Sequence, residues 1–235
     1  MNHMKHIICG SVLLTIGFTA GAETIIDGTT DLNGYSLAVT NNQPLGNTYY
    51  FSPDLYMTGF SFVYFGAGAG TANKNLGVEL NFYEADGPLT FGSYGNPTPK
   101  TLLYSSGWYF NTDGTELPNG NNTIAYTTSD FGSFANEVLP ASPNGFVFTI
   151  TFTNLGSSVI DLPLADNQST ISATDYGSYW IYNSGTSSWN LMTNSASIPV
   201  NFVTTVQGVP EPSMMAMGIL GGALLAAAGI MRRRN

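Results

Sequence analysis

Any chemistry in this chain has to be done almost without histidine or cysteine. Both histidines, His3 and His6, and the single cysteine, Cys9, fall within the first nine residues. Residues 23–208 contain neither type, and no arginine. Ser-His-Asp and Cys-His nucleophile systems, zinc–histidine sites and haem–histidine ligation are therefore excluded from that stretch. No G-x-x-x-x-G-K phosphate loop occurs. Paired carboxylates remain, because glycoside hydrolysis needs only two, about 5–10 Å apart. Glu79 and Glu84 are the candidates for a carboxylate-based glycan-active enzyme. Their odd spacing puts them on opposite faces of a regular strand unless a bulge near Ala85-Asp86-Gly87 intervenes. A solvated Glu79 and a turn-flanking Glu84 is the simpler reading. The expectation is a non-enzymatic protein with no assigned catalytic residue.

Calcium is the one metal these side chains could serve, since it takes carboxylate and amide oxygens. Asp27, Asp31 and Asn33 fall together in one Gly-rich stretch. EF-hand spacing is absent there, and Asx-turn chemistry accounts for the three equally well, so no metal site or cofactor is assigned. Asp161, Asp166 and Asp175 read as loop residues.

Aromatic residues offer a binding chemistry instead. Asp175–Asn183 reads DYGSYWIYN, followed by a Gly-Thr-Ser turn and Trp189. Strand alternation sets Tyr179 and Ile181 against Trp180 and Tyr182. An exposed Trp/Tyr pair on a flat sheet can stack on sugar rings, which makes Trp180, Tyr182 and Trp189 the candidate glycan-stacking residues. Core or cross-strand packing is the competing use of the same rings, and Trp108 reads as core.

These residues need strands to hold them. Gly145–Thr153 puts Phe146, Phe148, Ile150 and Phe152 on one face and Val147, Thr149, Thr151 and Thr153 on the other. Thr58–Phe65, Gly77–Glu84 and Pro199–Val206 alternate in the same way. Period two with one polar face marks half-buried antiparallel strands. Weaker strands are predicted at Tyr35–Thr40, Thr48–Phe51, Thr101–Phe110, Ser178–Asn183 and Ser188–Met192. Turn chemistry separates them at Asp27-Gly28, Asn33-Gly34, Asp86-Gly87-Pro88, Asp113-Gly114, Asn119-Gly120 and Pro143-Asn144-Gly145. No stretch before residue 214 carries a helical stripe. The expected fold is all-β: an antiparallel two-sheet sandwich, jelly-roll-like or otherwise Greek-key, over residues 23–207. Gly66–Gly70 and Tyr94–Pro99 read as long loops within it.

Both ends of the chain look like export signals. Residues 1–22 form a secretory signal peptide: Lys5 in the n-region, a short apolar stretch at Ile7–Phe18, and an Ala20-Gly21-Ala22 cleavage site. Its removal takes the histidines and the cysteine with it, so no disulfide can form and cohesion must come from the core. The remaining body to residue 208 carries fourteen carboxylates and two lysines, a net charge of −12. Such a body repels nucleic acid, and no nucleic-acid partner is expected.

At the other end, residues 208–213 form a linker containing Val209-Pro210-Glu211-Pro212-Ser213. Residues 214–231 are apolar throughout and span about 27 Å as a helix, enough for the hydrocarbon core. Residues 232–235, with Arg232, Arg233 and Arg234 as a membrane stop, form a cytoplasmic basic tail, which places the body on the opposite, outer side of the membrane. Gly218 and Gly222 make a GxxxG that can allow close helix packing.

This tripartite tail resembles the PEP-CTERM sorting signal of Gram-negative bacteria. The resemblance covers residues 209–235 only. It implies recognition and cutting near Pro210-Glu211-Pro212 by an exosortase-type membrane protease. It also implies an inner-membrane precursor and delivery to the cell surface or extracellular matrix of an exopolysaccharide-making, biofilm-forming cell. An uncut, permanent anchor is the alternative for the same tail. The expected role is structural or adhesive, with exopolysaccharide as the candidate partner.

Overall fold

The computed structural model describes residues 23–27, 32–49, 54–67, 76–89, 97–110, 120–136, 138–139, 145–156, 158–165, 178–193 and 201–210. Along the chain, β1 (Glu23–Asp27), β2 (Leu32–Ala38), β3 (Leu45–Tyr49), β4 (Leu55–Ala67) and β5 (Gly77–Glu84) come first. β6 (Leu102–Ser105), β7 (Tyr109–Phe110) and β8 (Gly120–Thr127) lead into a single helical turn, α1 (Thr128–Phe131), and a 3-10 segment, Gly132–Asn136. Then follow β9 (Val138–Leu139), β10 (Phe146–Thr153), β11 (Val159–Ala165), β12 (Ser178–Asn183) and β13 (Ser188–Thr193). β14 (Asn201–Phe202) and β15 (Thr204–Pro210) complete the described chain.

The strands form two antiparallel sheets. One has eight strands, in the order β1-β15-β4-β11-β14, with β2 added on β11 and β8 and β9 on β4. The other has seven, in the order β13-β12-β3-β10-β5-β6, with β7 also on β5. Alternation decides which face of each strand is apolar, and the two apolar faces close on each other. Phe60 of β4 lies 5.2 Å from Phe82 of β5 and 5.1 Å from Phe148 of β10, ring centre to ring centre. Phe62 and Phe152 meet edge-on at 6.3 Å.

Phe82 is the hub of this core. Its ring also contacts Tyr104, Phe131, Phe134 and Phe146. Of those rings, Phe131 comes from the helical turn and Phe134 from the 3-10 segment after it; the turn is fixed at its start by a reciprocal cap. The Asp130 carboxylate accepts from the Thr127 N–H and the Thr127 hydroxyl, both at 2.7 Å. The backbone bond first, then the hydroxyl, holds that carboxyl below its usual range.

Two polar bridges cross the apolar core. Asn47 of β3 is fully buried, and its Oδ1 accepts from the Phe202 N–H at 2.8 Å. The Tyr49 hydroxyl bonds the Thr204 hydroxyl. A buried polar group without such a partner costs about 1–3 kcal/mol, so these pairings fix the register of one sheet over the other.

Several strands lack the alternation that would have announced them. β8 only half-buries alternate residues, and its first four, Gly-Asn-Asn-Thr, carry no apolar side chain to mark them. β11 holds Pro163, which argues against an interior strand, but the proline sits at a register shift in the β11–β2 pairing. There its carbonyl accepts from the Val203 N–H at 3.1 Å. Asp161, read from sequence as a loop residue, therefore lies on β11, with Ser36 donating to it at 3.0 Å. β4 runs on through Ala67, so Gly66 and Ala67 of the expected loop at Gly66–Gly70 are strand, and the rest of it lies outside the described residues. Among the described residues no helix is long and apolar enough to cross a membrane. The predicted signal peptide at 1–22, Glu211, Pro212 and Ser213, the span at 214–231 and the tail from Arg232 to Arg234 lie outside the described residues.

Candidate functional site

The outer face of the seven-stranded sheet gathers most of the candidates. Its side chains are the odd-numbered set on β5 (Glu79, Asn81, Tyr83) and on β10 (Val147, Thr149, Thr151, Thr153), opposite the rings that fill the core. Thr151 pairs with Glu79, Thr149 with Asn81 and Val147 with Tyr83. Trp180 and Tyr182 of β12, and Trp189 and Leu191 of β13, share this face.

Trp180 corrects the expectation drawn from its alternation. It points outward from the sheet, yet none of its surface is exposed, so it cannot stack on a sugar. The cause is curvature. In sheet order β12, β3 and β10 stand between β13 and β5, about 19 Å across at the usual strand spacing. Nevertheless, the rings of Trp189 on β13 and Tyr83 on β5 lie only 5.8 Å apart. The sheet curls and its side chains lean inward, so this face is concave. Trp180 packs beneath with Ala85 and Val147, roofed by Tyr83, Trp189 and Leu191. Its indole N–H donates to the Thr48 hydroxyl at 2.8 Å. β3 presents Gly46 in register with Trp180, and a Cβ there would collide with the Phe148 carbonyl.

Tyr182 and Trp189 remain partly exposed, edge-to-face at 5.0 Å on the roof of that cluster. Tyr83 joins them. Burial chiefly, and then the neighbouring Glu79 carboxylate and Tyr182, push its phenol above the ordinary value.

Trp108 departs from expectation in the other direction. Read as core, it is 41 % exposed. It stacks on Phe110 at 6.2 Å with the two planes 29° apart. Phe110 pairs in register with Gly77, and a Cβ on Gly77 would sit 2.7 Å from its ring. Gly77 shares its face with Glu79, so this second pair of rings lies on the same outer face, at the β7 edge. Glu79 lies between the two aromatic groups, with Ser105 donating to it at 3.1 Å. Beside it the hydroxyls of Thr149 and Thr151 are buried with no hydrogen-bond partner.

Glu84 does not join Glu79. It pairs with Phe146 on the opposite face of β5, so the odd spacing acts as alternation requires and the two carboxylates do not converge. The three calcium candidates are described only in part, since residues 28–31 lie outside the described residues. Asp27 ends β1, which pairs with β15, while Asn33 lies within β2, which pairs with β11; Asp31 is outside the described residues. Among the described residues no three His, Cys, Asp or Glu group together.

The linker also begins later than expected. β15 keeps Gly208, Val209 and Pro210 in the ladder, opposite Met57, Tyr56 and Leu55. On its other side Glu23 pairs with Gly208. Pro210 stands two residues beyond Gly208, the last β15 residue paired with β1, where a residue without an N–H is tolerated.

No family model, curated protein or solved structure matches this chain. Tyr83 and Trp108 were not singled out from the sequence as binding residues. For Tyr83 the available signal was its place opposite Val78, Leu80 and Phe82 on an alternating strand. For Trp108 it was the two-residue spacing to Phe110.

Proposed function

We propose that this is an exported surface or matrix protein whose β-sandwich body, jelly-roll-like in plan, is structural or adhesive and binds exopolysaccharide. The tail at 209–235 supplies the address: an inner-membrane precursor with its body in the periplasm, processed near Pro210-Glu211-Pro212 by an exosortase-type protease. The observation that carries the binding part is the pair of half-exposed rings, Tyr182 and Trp189, seated on a rigid aromatic base on a concave sheet face. Aromatic faces held in place bind sugar rings with little ordering cost. The alternative, a carboxylate-based glycan-active enzyme using Glu79 or Glu84, would need a different partner carboxylate, since these two lie on opposite faces of β5.

The test replaces Pro210-Glu211-Pro212 with three alanines in the full chain, expressed in a host that has the sorting protease. The unchanged protein should reach the cell surface with a new C-terminus near residues 210–213, and the variant should stay in the inner membrane at full length. Intact Arg234 on the unchanged surface protein would instead support a permanent anchor.

A further inference from the structure

We infer that the Trp108–Phe110 pair is a second sugar-stacking platform on the same face. With Glu79 as the hydrogen-bond acceptor between the platforms, the face takes a glycan chain that carries no acidic groups. This rests on reading the body as glycan-binding, and adds the second contact and the class of sugar.

Three observations meet here. The first is that the platform is built in. Trp108 and Phe110 are 41 % and 39 % exposed and stack with their planes tilted by 29°. Gly77 leaves room for Phe110 to lie down on the sheet, with the Thr153 methyl closing the other side of that space. A plate fixed before binding loses little entropy when a sugar stacks on it. The second is spacing. Glu79 and Tyr83 are four residues apart on one strand, about 13 Å at the usual rise. Val78 pairs with Tyr109, which sets Trp108 level with Glu79 on the neighbouring strand. Rings at two ends of such a stretch suit an oligosaccharide rather than a single sugar.

The third is charge. Glu79 is the one carboxylate on the outward-facing positions of β5 and β10, and its described hydrogen bond comes from the uncharged Ser105 hydroxyl. Lys100, the only described lysine, lies near Asp86 on the far side of Glu84. A uronate or sulfated chain would bring an anion against a carboxylate that no described lysine faces, on a body of net charge −12. Hydroxyls or amino groups of a non-acidic sugar would instead donate to it.

The test is affinity electrophoresis of the detergent-solubilised full-length protein through three gels. One carries a neutral β-glucan, one a partly deacetylated amino-sugar polymer and one a uronate polymer. Retardation is expected in at least one of the first two and not in the third. Trp108→Ala should weaken it about tenfold or more, with the thermal unfolding curve unchanged. Stronger retardation by the uronate polymer overturns the inference. So does binding that survives Trp108→Ala while Trp189→Ala abolishes it, an outcome that leaves the broader glycan reading standing. No retardation in any gel contradicts both.

Discussion

The two faces of the seven-stranded sheet obey different rules. On the inner face Val78, Leu80, Phe82, Phe146, Phe148, Ile150 and Phe152 are all buried against the other sheet, as their alternation demands. On the outer face the same strands carry Glu79, Asn81, Tyr83, Val147, Thr149 and Thr151, which alternation alone would leave in water. In fact Val147 and Thr149 are as fully buried as the core rings, while Trp108 stands open. Period two tells which side of a sheet a residue is on. It does not tell whether that side is covered, and here a curled hairpin of β12 and β13 does the covering.

The comparison can be broken most sharply by deleting one ring on each side. Phe82→Ala should cost about 3–5 kcal/mol of unfolding free energy in a urea titration. Trp180→Ala should cost a similar amount, although its side chain leaves the sheet on the outer face. A loss below about 1 kcal/mol at Trp180 would show that this face is open after all.

Next in size is an alkaline transition. Burial pushes the Tyr126 phenol up to about 12, and burial likewise raises Tyr64, Tyr104 and Tyr179. The unfolded chain loses these protons first, near pH 10. Stability should therefore be complete below that pH and fall as pH rises towards 12, by about 2 kcal/mol or more from Tyr126 alone. Tyr126→Phe should flatten this decline, as followed by the urea midpoint at each pH.

A smaller effect sharpens the account of the outer floor. The Thr149 hydroxyl is buried without a partner, so Thr149→Val should be neutral or stabilise the protein by about 1 kcal/mol. Destabilisation beyond that range would mean the hydroxyl is satisfied. Smallest of all, Trp108→Ala should move stability by no more than about 0.5 kcal/mol, because nothing in the core depends on that ring.

Much of the scaffold was legible because its alternation is strong. The segment Gly77–Glu84 was read from sequence with the same limits as β5, and Ser178–Asn183 with those of β12. β8 and β11 were not, since one is rich in asparagine and threonine and the other contains a proline parked at a bulge. The site was less legible still. Trp180 was placed on the correct face, but its burial depends on a contact between β13 and β5, which no local pattern encodes. Trp108 reads as core because tryptophan usually is; its exposure follows from a position just before a two-residue edge strand. The limit of β15 at Pro210 was hidden for a similar reason, because proline reads as a linker residue until its partner strand is known.

The most direct test uses the three tryptophans as reporters. Acrylamide quenching of single-tryptophan variants of the full-length protein, with and without bound non-acidic glycan, follows Trp108, Trp180 and Trp189 separately. Glycan should shield Trp108 and Trp189, while Trp180 stays unquenched in both states. Shielding of neither exposed ring by a glycan that is demonstrably bound would place the binding surface elsewhere on the molecule.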